Sequence, residues 1–104
     1  MSEILTSDWE NARAAFAAFL DKTPRAGRTI GLHDSDADGV AAGVIWQRGL
    51  ERLGYTNLTR IIPDRERNAW TDANRAKVTA ARPDSLFVMD LGSQSEPVLP
   101  GVPT

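Results

Sequence analysis

Hydrophobic positions along the chain recur first at helical spacing. After Ser7, with Glu10 three residues on as the partner in a capping box, the spacing predicts a helix that ends before Pro24. The predicted apolar stripe of this helix consists of Trp9, Ala12, Phe16, Phe19 and Leu20. Such a stripe indicates a packing helix with no chemistry of its own.

Three later runs are apolar enough to be strands. They are "RTIGL" at 28–32, "NLTRIIP" at 57–63 and "SLFVMD" at 85–90. The last run is continuous, which is typical of a parallel strand covered on both faces.

Two helices are predicted between these strands. The first begins at Gly39 and ends near Gly54, where a left-handed cap is favoured. The second is capped by Thr71 or Asn68 and reaches Ala81. The stripe predicted for the first of them is Ala42, Ile45, Trp46, Gly49, Leu50 and Leu53. The small residues at its start, which let a strand approach closely, are Ala41, Ala42 and Gly43.

The order of these elements, a helix and then β-α-β-α-β, predicts an α/β fold with three layers and a mostly parallel sheet. We expect residues 1–104 to form a single partial domain, in which 93–104 is a loop leading to a further strand. A three-stranded sheet has open edges, through which copies of the chain can associate.

Composition narrows the possible chemistry. The net charge is -2, there is no cysteine, and His33 is the only histidine. Disulfides and thiolate metal sites are therefore excluded, and a metal would be bound mainly by oxygen, as magnesium, manganese and calcium are. No apolar run is long enough to span a membrane, and we expect a cytoplasmic protein. A local basic surface is expected where Arg60, Arg65 and Arg67 cluster.

The strongest chemical signal is "HDSDADGVAAG" at 33–43, in which Asp34, Asp36 and Asp38 stand at alternate positions. Asp90 ends the last predicted strand. Parallel strands bring their carboxyl ends to one edge of the sheet, so these four carboxylates should converge there. Their mutual repulsion requires cations, which predicts a site for a pair of divalent ions.

Two simpler interpretations compete with this site. A solvated acidic turn could cap the second helix, with Asp36 or Asp38 at its positive N-terminal end. The pattern D-x-D-x-D-G also begins a calcium loop of the EF-hand kind, but the twelfth position, where such loops need a glutamate, is Ile45.

The motifs resemble those of the DHH phosphoesterase superfamily, and of its RecJ-type branch in particular. "DSDADGVAAG" resembles the first motif, "FVMDLGS" is similar to the second, and "IIPDRERNAW" resembles the segment between them. The resemblance covers roughly 28–93, with the motifs in the family's order.

The resemblance implies roles for individual residues. Asp34, Asp36, Asp38 and Asp90 would bind two divalent cations, manganese before magnesium. Asp36, Asp38 and Asp90 would be catalytic through water activated by these ions. Arg65 would contact substrate phosphate, with a solvated loop arginine as the alternative. His33 would assist in substrate binding, although a histidine bonded to a backbone carbonyl is the simpler interpretation.

The chain also departs from the family pattern. The Asp-His-His motif is absent, and "ERNAWT" at 66–71 replaces a glycine-rich stretch of the RecJ nucleases. We therefore expect the N-terminal part of a metal-dependent hydrolase of phosphodiester or phosphoanhydride bonds, an exonuclease or nucleotide phosphatase, with little activity alone. Its substrate would be a nucleic acid, an oligonucleotide or a nucleotide. The alternative is a non-catalytic metal-binding or assembly module that pairs with another chain.

Overall fold

The computed structural model describes residues 2–64, 67–92 and 97–104, and within 2–7 only the helical backbone. Six elements follow one another in the predicted order: α1 (Ser2–Lys22), β1 (Thr29–His33), α2 (Ala37–Arg52), β2 (Leu58–Ile61), α3 (Asp72–Ala81) and β3 (Ser85–Met89). The predicted bounds of α3 and β3 are confirmed to within one residue. β1 runs one residue further than predicted, so that His33 belongs to the strand.

The three strands form one parallel sheet in the order β2-β1-β3. The chain passes from β1 to β2 on one side and then crosses back over β1 to reach β3. Right-handed crossovers that run in opposite directions place their helices on opposite faces of the sheet. Within the described residues, two separate cores, one under α2 and one under α3, fit this arrangement. The predicted three-layer α/β architecture is confirmed.

On the first face, α2 lies very close to β1. A Cβ atom on Gly31 of β1 would lie 2.7 Å from the Trp46 ring, and one on Gly43 of α2 would lie under 3.0 Å from the His33 ring. Side chains at these two glycines would push the helix away from the strand. The core on this face comprises Trp46, Leu50, Tyr55 and Phe87, with Phe19, Leu20, Leu58 and Met89 packed against them.

On the second face, α3 and the C-terminal segment 97–104 cover the sheet. The buried core there comprises Ile30, Leu32, Ala69, Val78, Leu86 and Val98. The backbone N–H of Leu86 in β3 donates to the carbonyl of Pro103 at 2.8 Å. The described part of the C-terminal segment thus lies beside β3 and covers part of an edge that the sequence left open.

The N-terminal end of α1 differs from the prediction. This helix begins at Ser2, so Ser7 lies inside the helix and does not cap it. The chain has no proline or glycine before Pro24 to stop the helix from extending towards the N-terminus. Trp9 of the predicted stripe is exposed. Phe16 is half-exposed but makes a T-shaped contact with Phe87, with the ring centroids 6.1 Å apart. Phe19 makes a closer T-shaped contact with the same ring at 5.2 Å, so α1 packs through its C-terminal half.

The apolar stripe of α2 also differs from the prediction. The buried residues of this helix are Gly39, Gly43, Trp46 and Leu50, whereas Ile45 is 72% exposed. The close approach at the glycines selects this stripe, because it turns the helix so that Ile45 and Leu53 face away from the sheet.

The end of α2 is as predicted. Gly54 adopts a left-handed φ of 92°. The N–H groups of Gly54 and Tyr55 donate back to the carbonyls of Glu51 and Leu50, which is the pattern of a Schellman cap.

Among the described residues, no helix is long and apolar enough to cross a membrane.

Candidate metal centre

Asp34 directly follows β1 and is only 5% exposed. Its Oδ1 accepts a hydrogen bond from the N–H of Ser35 at 2.8 Å. Its backbone carbonyl lies so close to Gly39 that a Cβ atom there would come within 3.0 Å of it. The first turn of α2 therefore packs directly against the backbone of Asp34, and this contact fixes the position from which its side chain extends.

Asp36 is the N-cap of α2. Its Oδ1 accepts from the N–H of Gly39 at 2.8 Å, and its backbone is extended. The capping interpretation of the acidic turn is thus confirmed for this one residue, as the sequence allowed. Capping accounts for only one oxygen of one carboxylate, and Asp34 takes no part in it.

Asp90 reaches the same place from β3. Met89 pairs with His33 in the parallel register, so the residues that follow them, Asp90 and Asp34, leave neighbouring strands side by side. Asp90 adopts a left-handed φ of 58°, which is uncommon for a residue with a side chain. Backbone strain of this kind is concentrated at functional sites.

Three carboxylates therefore meet at the carboxyl edge of the sheet, as the sequence predicts. Asp34, Asp36 and Asp90 each offer an oxygen within 4.8 Å of the others. Asp38, the fourth predicted ligand, lies exposed in the first turn of α2 and falls outside this group among the residues described. It is near enough for its charge to act on Asp90.

The carboxyl groups differ in their electrostatics. A hydrogen bond from Arg67 lowers the pKa of Asp34 below its ordinary value, and this outweighs the opposing effect of burial. Desolvation raises the pKa of Asp90, and the charge of Asp36 raises it further. The site thus has one carboxylate neutralised by a cation and another that is destabilised by its acidic neighbours, which an added cation would relieve.

Arg67 is the cation in this arrangement, and sequence reasoning missed its role. Its Nε donates to Asp34 Oδ1 at 2.8 Å, and its Nη2 donates to both Asp34 and Asp36, the latter at 3.1 Å. The sequence did contain one signal for this role, because the loop after β2 leaves the sheet at the same edge as the aspartates. The sequence predicts a phosphate contact at Arg65 instead, and Arg65 lies outside the described residues.

His33 is buried at the end of β1. Its Nε2 lies 3.4 Å from the Nη1 of Arg60, which can only donate. The Nδ1 therefore carries the proton and donates to the carbonyl of Asp34 at 2.8 Å. The simpler interpretation, a histidine bonded to a backbone carbonyl, is confirmed, and substrate binding by His33 stays a prediction.

No protein-family model matches the chain, and neither a curated protein nor a solved structure matches it. The resemblance to the DHH superfamily therefore depends on the motifs at 34–43 and 87–93 and on the segment between them at 61–70.

Proposed function

We propose that this carboxylate cluster binds divalent cations and that the chain is part of a metal-dependent phosphoesterase of the DHH type. The observation that supports this proposal is the convergence of Asp34, Asp36 and Asp90, which come from the ends of two adjacent parallel strands. The resemblance of the surrounding motifs supplies the reaction class.

The donor set fits a hard divalent cation. Carboxylate oxygens are the ligands that manganese and magnesium prefer, and the described cluster offers no nitrogen or sulfur. A guanidinium already rests on two of the three carboxylates, so the site accepts positive charge. We assign Asp34, Asp36 and Asp90 as ligands, with Asp38 as a further ligand if a second ion is bound.

The substrate under this proposal is a phosphodiester or phosphoanhydride in a nucleic acid, an oligonucleotide or a nucleotide, and the compartment is the cytoplasm. Bound cations would stabilise the charge of the phosphoryl group and lower the pKa of water at the site. Asp34, Asp36 and Asp90 would hold those cations at the carboxyl edge of the sheet. Because the sequence holds no Asp-His-His motif, we expect weak turnover by these residues alone.

Calorimetric titration with manganese tests the proposal directly. The wild type should bind, and Asp36→Asn and Asp90→Asn should each weaken binding by about tenfold or more, since each removes a charged ligand. Asp21→Asn is the matched control, because Asp21 is an exposed aspartate of α1 outside the cluster. Equal binding by all four proteins would overturn the proposed site.

A non-catalytic assembly module is the second candidate, and the sheet favours it. β2 and β3 are the outer strands of the described sheet. Among the described strands, β2 pairs with β1 along one edge, and its other edge is open. Backbone groups on an edge strand can pair with a strand from another chain. Light scattering after gel filtration over a range of concentrations tests this role: a stable dimer would favour it, and a monomer throughout would count against self-association.

A further inference from the structure

We infer that Arg67 is a built-in counter-ion, which neutralises Asp34 and Asp36 in the metal-free protein and is displaced when a divalent cation binds. This inference depends on the proposed function, because it needs a cation that competes for the same oxygens. It assigns Arg67 a role in setting the metal affinity of the site.

Asp34 needs such a partner. Its side chain is nearly buried, and an ionised carboxylate removed from water is costly unless a charge and hydrogen bonds compensate it. Arg67 supplies both, with a planar fork that engages the two oxygens of Asp34 and reaches one oxygen of Asp36. Among the described residues, the ion pairs of the cluster are those of Arg67 with Asp34 and with Asp36.

The position of Arg67 is built into the fold. Asn74 of α3 is fully buried, and its Oδ1 accepts from the N–H of Asp64 at 2.8 Å. Its Nδ2 donates to the carbonyl of Asn68 at 2.8 Å and to Asp64 Oδ1 at 3.0 Å. Residues on both sides of Arg67 are therefore tied to one buried amide, and Arg67 itself takes a left-handed φ of 54°.

The guanidinium is also free to leave. The side chain of Arg67 is 52% exposed, so water can replace the protein as its surroundings. A metal ion bound to Asp34 and Asp36 would use the oxygens to which Arg67 donates. Two cations on the same oxygens repel each other, so the binding of one must weaken the binding of the other.

This competition has a signature with two opposite signs. Arg67→Gln should raise the affinity for manganese, because the competitor is gone. The same change should lower the melting temperature in the presence of a chelator, because Asp34 then stays buried without its countercharge. An ordinary surface arginine would change neither property, and an arginine that shapes the site would lower both.

The experiment uses the full chain with manganese as the probe, in titration calorimetry and in thermal unfolding with EDTA. Arg67→Gln should bind manganese about fivefold or more tightly than the wild type and melt at a lower temperature in EDTA. Arg67→Lys, which keeps the charge but loses the fork, should fall between them. Arg48→Gln is the control for net charge, since Arg48 is exposed on α2, and it should stay within about twofold of the wild type.

Two failures can be told apart. If the wild type binds manganese and Asp36→Asn weakens it, but Arg67→Gln binds no more tightly, the counter-ion role is wrong and the metal site stands. If neither the wild type nor Arg67→Gln binds manganese, the proposed function fails and the counter-ion role falls with it.

Discussion

The helices α2 and α3 both connect successive strands of the parallel sheet, but they position the residues of the candidate site through different interactions. Each carries the chain from one strand to the next, and each begins with a capping side chain, Asp36 for α2 and Thr71 for α3. α2 is set against β1 by glycines that allow contact with the strand. α3 is joined to the loop before it by the hydrogen bonds of Asn74.

The difference separates the two kinds of charge at the site. The position of Asp34 depends on close packing, in which a single added methyl group has nowhere to go. The position of Arg67 depends on hydrogen bonds to a loop, which can adjust by small amounts. A rigid acidic part and a more adaptable basic part suit a site in which the cation is exchanged and the ligands stay.

The largest effect should come from Gly39→Ala. The new Cβ atom would collide with the backbone of Asp34, which has no flexible end to move aside. We expect a loss of about 3 kcal/mol in the free energy of unfolding, at the upper end of typical overpacking. Urea denaturation measures it, and manganese affinity should fall in the same variant because Asp34 is moved.

Gly49→Ala is the matched control within α2. Nothing lies within 4 Å of the Cβ position at Gly49, and the residue is exposed. Alanine should therefore stabilise the helix by roughly 0.5–1 kcal/mol. If both variants were destabilised equally, the close packing at Asp34 would not explain the result for Gly39.

A smaller effect is expected on the α3 side. Asn74→Ala removes the buried amide and leaves the N–H of Asp64 without the acceptor that it now has. Buried groups that lose a partner cost about 1–3 kcal/mol, and the loop that carries Arg67 should loosen. Denaturation gives the stability, and manganese affinity should rise towards that of Arg67→Gln.

Thr79→Ala tests whether any polar change on α3 has this result. Thr79 is exposed, and its hydroxyl donates to the carbonyl of Arg75 within the same helix. Its replacement should change stability by less than about 0.5 kcal/mol and leave metal affinity unchanged. If Thr79→Ala also raised the manganese affinity, the rise with Asn74→Ala could not be attributed to the hydrogen bonds between Asn74 and the loop.

Much of the fold could be predicted because the strong signals are local. The continuous run at Ser85–Met89, the cap at Thr71 and the glycine at position 54 each state their structure within a few residues. The parallel sheet then follows from the alternation of elements, and the meeting of Asp34 with Asp90 follows from the sheet.

The predictions from the sequence were wrong where contacts between distant parts of the chain determine the structure. Ile45 fits an apolar stripe as well as Trp46 does, and the close approach of α2 to β1 at Gly31 and Gly43 turns the helix so that Ile45 faces outwards. Arg67 could not be separated from its neighbours by pattern, because its partners Asp34 and Asp36 lie far away in sequence, in the turn after β1, and its own backbone takes a left-handed φ. Close approach and long-range pairing leave little trace in one sequence.

The smallest effect concerns pH, and it compares the paired Asp34 with Asp90. The pKa of Asp34 is lowered from 3.8 by Arg67, so its ionised form stabilises the fold above that value, and the stability is lost as the pH falls through the lowered pKa. The pKa of Asp90 is raised from 3.8 by desolvation and by Asp36. Its ionised form therefore costs stability above the raised pKa, and this cost disappears as the pH falls towards 3.8.

Opposite outcomes follow for the two asparagine variants in EDTA. At about pH 7, Asp34→Asn should melt below the wild type and Asp90→Asn above it, since one loses a favourable charge and the other an unfavourable one. Both differences should shrink as the pH is lowered through the range in which the carboxyl groups take up protons. Manganese should reverse the order for Asp90→Asn alone, because a bound cation turns the charge of Asp90 from a cost into a contact. A shift of both variants in the same direction would show that the two carboxylates have similar surroundings, and the contrast between a paired and a destabilised aspartate would be lost.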